Sequence, residues 1–177
     1  MKKRILLLIP GFFLLLLNTF AQTQQEEPGP PSTEAEFEQQ YQERIRKETL
    51  NGVYIPKNLE EAMVELDKRV SSEARLKFKA LPEDSVCMIM HNRLGQWMIL
   101  NWGFYGGSRL SNYLRSAGVT FPDDMADFLI LAYHRRQNGK PIGIKELATD
   151  FRDRRKKEYQ EKMKKGTVIH EEVRKRN

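Results

Sequence analysis

The residues best suited to chemistry fall in three short stretches. They are His91-Asn92-Arg93-Leu94-Gly95-Gln96-Trp97, then Asn101-Trp102-Gly103-Phe104-Tyr105-Gly106-Gly107-Ser108, then Phe121-Pro122-Asp123-Asp124-Met125. His91, Asp123, Asp124 and the later His134 have side chains of the kind that bind a divalent ion or move a proton. Their spacing is poor for a metal. A zinc-binding helix needs ligands three or four residues apart, and no His-x-x-x-His occurs. Asp123 and Asp124 directly after Pro122 also suit a helix start, with Asp123 as cap and both acids facing the positive end of the dipole. There is no GxSxG, no HExxH and no Walker-type phosphate loop. His91, Asp123 and Asp124 therefore stand as a candidate polar cluster, with no catalytic residue, metal or cofactor assigned. The alternative function is a small metal-dependent or acid–base enzyme centred on them, which requires the imidazole and the carboxylates to converge in an accessible pocket.

A second candidate is an anion site at Gly106, Gly107, Ser108 and Arg109. Two glycines before a helix expose backbone N–H groups, and Arg109 adds positive charge. The competing account is a helix capped by Ser108 after a tight turn. Trp97, Trp102, Phe104 and Tyr105 form a third group. They are a platform for a ligand or partner if exposed, with Phe104 and Tyr105 the more accessible, and ordinary packing otherwise. Cys87 is the single cysteine, within Val86-Cys87-Met88-Ile89-Met90, and reads as a small buried apolar residue.

Five motifs run through this region in order: Ile-Pro-Lys-x-Leu-x-x-Ala at 55–62, His-x-x-Leu-Gly-x-Trp at 91–97, Asn-Trp-Gly at 101–103, Gly-Ser-x-Leu at 107–110 and Pro-Asp-Asp-Met at 122–125. The series resembles a bacterial exported domain family of unknown function, over roughly residues 53–139. The resemblance implies a small, mostly helical domain and carries no activity with it.

The elements that must hold these residues follow from periodicity. Residues 34–50 read as a charged helix with a thin stripe of Phe37, Tyr41 and Ile45, ended by Asn51-Gly52. A short extended stretch follows at 53–56. Asn58 caps a helix whose Leu59, Ala62, Met63, Leu66 and Val70 mark one buried face, and Glu61 answers the cap. Ser71-Ser72 caps a short helix through Phe78. Residues 84–102 read as the central helix, with Val86, Ile89, Met90, Leu94, Trp97 and Met98 in one stripe. Gly95 within it permits a close helix crossing. Ser108 opens the next helix and Gly118 stops it. Met125, Phe128, Leu129, Ala132 and Tyr133 mark another that ends at Asn138-Gly139. The last begins near Ile144 and buries Leu147, Ala148 and Phe151. It then becomes Arg152-Asp153-Arg154-Arg155-Lys156-Lys157, so its second half projects into solvent. The expected class is all-α, a small irregular domain of five or six helices with a basic C-terminal helix.

The ends carry targeting information. Lys2, Lys3 and Arg4 precede an uncharged run at 5–17. At helical rise that run spans about 20 Å, too short for a hydrocarbon core of about 30 Å. Thr19-Phe20-Ala21 offers small residues for a signal peptidase, which makes 1–21 a signal peptide and Gln22 the mature N-terminus. Residues 22–33 are Gln, Glu, Pro, Gly and Ser with no apolar anchor, as in a disordered spacer. The whole chain carries +6, of which the signal takes three charges. The remainder divides into a slightly acidic body and a basic stretch at 140–177. One cysteine leaves no internal disulfide. The expected function is that of an exported, non-enzymatic binding or interaction protein of the cell envelope. Its partner is a protein or an acidic envelope component, not nucleic acid, and no transmembrane segment remains after signal removal.

Overall fold

The computed structural model describes residues 30–166. The expected signal peptide, residues 22–29 of the spacer and residues 167–177 of the tail lie outside them. Among the described residues there are seven helices and one two-stranded hairpin. The expected all-α class is observed, with seven helices rather than five or six; the short helix expected after Ser71 is among them.

Helix α1 (Glu34–Arg44) starts at Thr33, whose hydroxyl accepts from the Glu36 N–H. It stops at Arg44 rather than at Leu50. The residues that follow form β1 (Thr49–Leu50) and β2 (Val53–Tyr54), paired antiparallel with Leu50 opposite Val53. Asn51-Gly52 is thus a hairpin turn and not a helix stop. Both residues have positive φ, 49° and 74°, which a two-residue turn of this hand requires and which Asn-Gly tolerates best. Helix α2 (Leu59–Arg69) is capped by Asn58, whose side chain accepts from the Glu61 N–H at 2.9 Å. Helix α3 (Ser72–Lys79) is capped by Ser71.

Helix α4 runs over residues 86–101 and has three parts: an α-helical turn at Val86–Met90, a π-helical turn at His91–Gly95, and an α-helical end at Gln96–Asn101. The wide turn adds one residue and shifts the helix phase. The buried positions show it: Val86, then Gly95, Met98, Ile99 and Trp102, with Met90 half-buried between. From Met90 to Gly95 the step is five, which no uniform α-helix keeps on one face. The single stripe expected from the sequence fails at Ile89, which is 44% exposed, whereas Met90, Leu94 and Trp97 are partly buried and pack against the core. Gly95 does mark a close crossing. A Cβ there would sit 3.4 Å from Ile130 Cδ1 and 3.6 Å from Ala126 Cβ.

The centre of the fold is α6 (Pro122–Gln137), not α4. Met125, Ala126, Phe128, Leu129, Ile130, Ala132 and Tyr133 are all buried, so apolar residues surround it and α2, α3, α4, α5 (Arg109–Ser116) and α7 (Ile144–Lys164) pack around it. Pro122 occupies its first position and Phe121 precedes it, with no side-chain cap. Asp123 is therefore a first-turn acid rather than the cap. Asp67 of α2 ties three helices together. It accepts from the Tyr133 hydroxyl at 3.0 Å and the Gln137 amide at 2.8 Å, and lies 3.4 Å from Arg75. Helix α7 buries Leu147, Ala148 and Phe151. Beyond Phe151 its described side chains are exposed, apart from half-buried Arg155.

Candidate functional site

The π-helical turn of α4 begins at His91 and turns its imidazole toward α6. His91 Nδ1 lies 2.8 Å from Asp127 Oδ1, and Nε2 lies 3.7 Å from Asp123 Oδ1. A carboxylate only accepts, so Nδ1 donates to Asp127. The structure thus brings His91 and Asp123 together, and adds Asp127 one helical turn along the same face of α6. That i, i+4 relation to Asp123 was the signal for it in the sequence. Asp124 points elsewhere. Its carboxylate accepts two hydrogen bonds from Arg155 of α7, at 2.9 and 2.7 Å.

Among the described residues His91 is paired with no serine, threonine or cysteine side chain. The nearby thiol of Cys87 donates to the Asp127 backbone carbonyl at 3.4 Å. Burial, reinforced by the Asp127 charge, pushes that thiol up to about 12, so it stays neutral. Among the described residues no three or more His, Cys, Asp or Glu side chains are grouped to hold a metal ion. His134 belongs to the core. Its Nε2 donates to the Leu81 carbonyl at 2.9 Å, while Nδ1 is buried with no hydrogen-bond partner among the described residues.

The Gly106–Arg109 run is filled by the protein itself. Ser108 and Ser111 form a reciprocal capping box, each backbone N–H donating to the other's hydroxyl. Arg109 donates to the Ile55 carbonyl at 2.6 Å, pairs with Glu48 at 3.3 Å and lies over the Tyr54 ring. Helix α1 docks on the two glycines. Tyr41 packs its ring against Gly107, and the Arg44 Nε donates to the Gly107 carbonyl at 3.1 Å. This geometry is a seat for α1. The aromatic group divides as well. Trp102 and Phe104 are fully buried, which corrects the expected accessibility of Phe104. Trp97 lies under the Arg69 guanidinium at 4.6 Å, and only Tyr105 is well exposed, at 65%.

An apolar recess lies elsewhere, between the 118–121 loop and the outer half of α7. It holds about 440 Å³, within the roughly 300–1,000 Å³ of small-ligand sites. Val119 and Phe151 form its floor, and Phe121 and Tyr159 its walls. Arg152, Arg155, Lys156 and Lys162 line it against the two carboxylates of Asp124 and Glu158. Arg155 is taken by Asp124, approaches Glu158 at 3.5 Å and covers the Phe121 ring. Hydrogen bonding to Asp124 holds Arg155 above its ordinary value, so it stays charged. Lys156 and Lys162 are exposed, with no ion-pair partner among the described residues. This recess was not legible in the sequence. Its signal was the continuation of the Phe151 stripe into Tyr159 and Met163 among basic residues.

Residues 55–137 match a family described as a domain of unknown function, DUF6794. That span holds α2 to α6, and so the His91–Asp127 pair, but not α1 or α7. No curated protein and no solved structure matches the chain.

Proposed function

We propose that this chain is a non-enzymatic binding protein, exported to the bacterial cell envelope, that holds an acidic envelope component against the basic outer half of α7. One observation carries the reading: an apolar recess bears Lys156 and Lys162, which have no acidic partner among the described residues. The groups first considered for chemistry are instead engaged within the fold. Asp124 is held by Arg155, Ser108 by Ser111, and the Cys87 thiol is neutral. Export rests on Lys2–Arg4, the uncharged run at 5–17 and Thr19-Phe20-Ala21.

The test uses the chain produced in an exporting host. Its mass should correspond to a start at Gln22. The processed protein should co-sediment with isolated envelope fragments, less so as salt is raised, because exposed charges are screened within about 10 Å at 0.1 M. Truncation after Arg155 should abolish most of that retention. Retention indifferent to both salt and truncation would sink the proposal.

The alternative is a small acid–base enzyme centred on His91 with Asp123 and Asp124. The 2.8 Å approach of His91 to Asp127 favours it, whereas the engagement of Asp124 by Arg155 and the lack of a facing nucleophile weigh against it. An envelope-processing activity abolished by His91→Ala, in a variant that melts normally, would make it the better reading.

A further inference from the structure

We propose that the recess between the 118–121 loop and α7 seats a single-chain anionic amphiphile, its acyl chain against Phe121 and Tyr159 and its acidic head toward the ammonium groups of Lys156 and Lys162. The inference rests on the reading of the chain as a binding protein and names the chemistry of its ligand.

Shape and charge each restrict the occupant. Val119 and Phe151 are almost fully buried at its base, so the apolar surface open to a ligand is that of Phe121 and Tyr159, 49% and 64% exposed. A free phosphate or acetate ion leaves both rings unused. A peptide helix about 10–12 Å across fills roughly 400–600 Å³ per turn, so a recess of about 440 Å³ admits no more than about one turn. An extended peptide finds little backbone to pair with. The Gly118 and Val119 N–H groups already donate to the Arg115 and Leu114 carbonyls, at 3.0 and 2.9 Å. An acyl chain needs no hydrogen bonds, and a carboxylate, sulfate or phosphate head complements two unpaired ammonium groups. The Asp124–Arg155 fork holds the wall rigid and takes no part in the charge offered to the ligand.

The test is displacement of a dansylated fatty acid from the processed full chain by monomeric dodecanoate. Dodecanoate should displace the probe. Each methylene removed toward octanoate should weaken displacement about two- to fourfold. Dodecanol, which keeps the chain and loses the charge, should be about tenfold weaker, as should dodecanoate on the K156E/K162E double variant. Both lysines are exposed, so the variant should keep the wild-type melt. The dodecanol and octanoate comparisons need no variant. Displacement by inorganic phosphate alone, indifference to chain length, or an unchanged double variant would each overturn the proposal. So would binding that emerges only after truncation beyond Gly166, since residues 167–177 would then be the occupant. Loss of probe binding with salt-sensitive envelope retention intact refutes the amphiphile alone. Loss of both refutes the binding function as well.

Discussion

Arg155 grips Asp124 through two parallel hydrogen bonds, Nε to Oδ2 at 2.9 Å and Nη2 to Oδ1 at 2.7 Å. The pair joins the first turn of α6 to the point where α7 leaves the body. Asp124 is the more buried partner, its side chain 10% exposed against 33% for Arg155. Arg155→Ala should therefore leave a nearly buried carboxylate unsatisfied and cost about 1–3 kcal/mol, toward the lower end because the arginine side is open to solvent. Arg155→Lys should recover only part of the loss, since an ammonium cannot make the fork. Urea unfolding of the three proteins measures both differences. Equal stability in all three would show that the fork contributes nothing.

The two tryptophans should separate in the same assay. Trp102 is fully buried beside Trp97 and Phe104, so Trp102→Ala should cost about 3–5 kcal/mol. Trp97 is only half-buried, and Trp97→Ala should cost about 1–2 kcal/mol. The reverse order would place the main aromatic core around Trp97.

Acid should act through Glu61. The Lys57 side chain and backbone N–H bind its carboxylate and, with the Tyr54 hydroxyl, pull it from 4.5 down to about 2. A depressed carboxyl stabilises the fold above its unfolded pKa, and that stability is lost as pH falls toward its folded pKa. The melting-temperature gap between wild type and Glu61→Gln should thus be constant above about pH 4.5 and shrink steadily toward pH 2. A gap that widens on acidification contradicts this sign.

Gly107 should be intolerant of any side chain. Its φ is +87°, and the Tyr41 ring occupies the space a Cβ would need. Gly107→Ala should cost at least about 1–2 kcal/mol from the backbone alone and also dislodge α1. Hydrogen exchange should then accelerate across residues 34–44 while α6 stays protected. Uniform acceleration instead would mean that α1 is integral to the core.

Local chemistry was the legible part of the fold. Asn58, Ser71 and Ser108 cap helices as their types and positions predict, because capping depends on residues within one turn. Asn51-Gly52 was ambiguous, since the same left-handed conformation ends a helix or closes a hairpin. The outcome depended on Leu50 finding Val53. In the site, the meeting of His91 with Asp123 was anticipated, but the shorter contact is to Asp127. Asp124 went to an arginine 31 residues away. Such partner choices are decided by how α4 and α7 cross α6, and periodicity within one helix carries no record of that crossing.

The π-helical turn at His91–Gly95 is a slack loop in the shaft of α4: it takes up a single extra residue while the two halves keep a common face. Removing one residue there, Asn92 for example, would tighten the turn to a regular α-helix. The step from Met90 to the present Gly95 would become four, which an α-helix keeps on one face, so Met98 and Ile99 would stay in the core. What the deletion would alter is the turn itself, and with it the placing of His91 against Asp127. Deletion of exposed Asn92 should therefore spare the fold and disturb the imidazole.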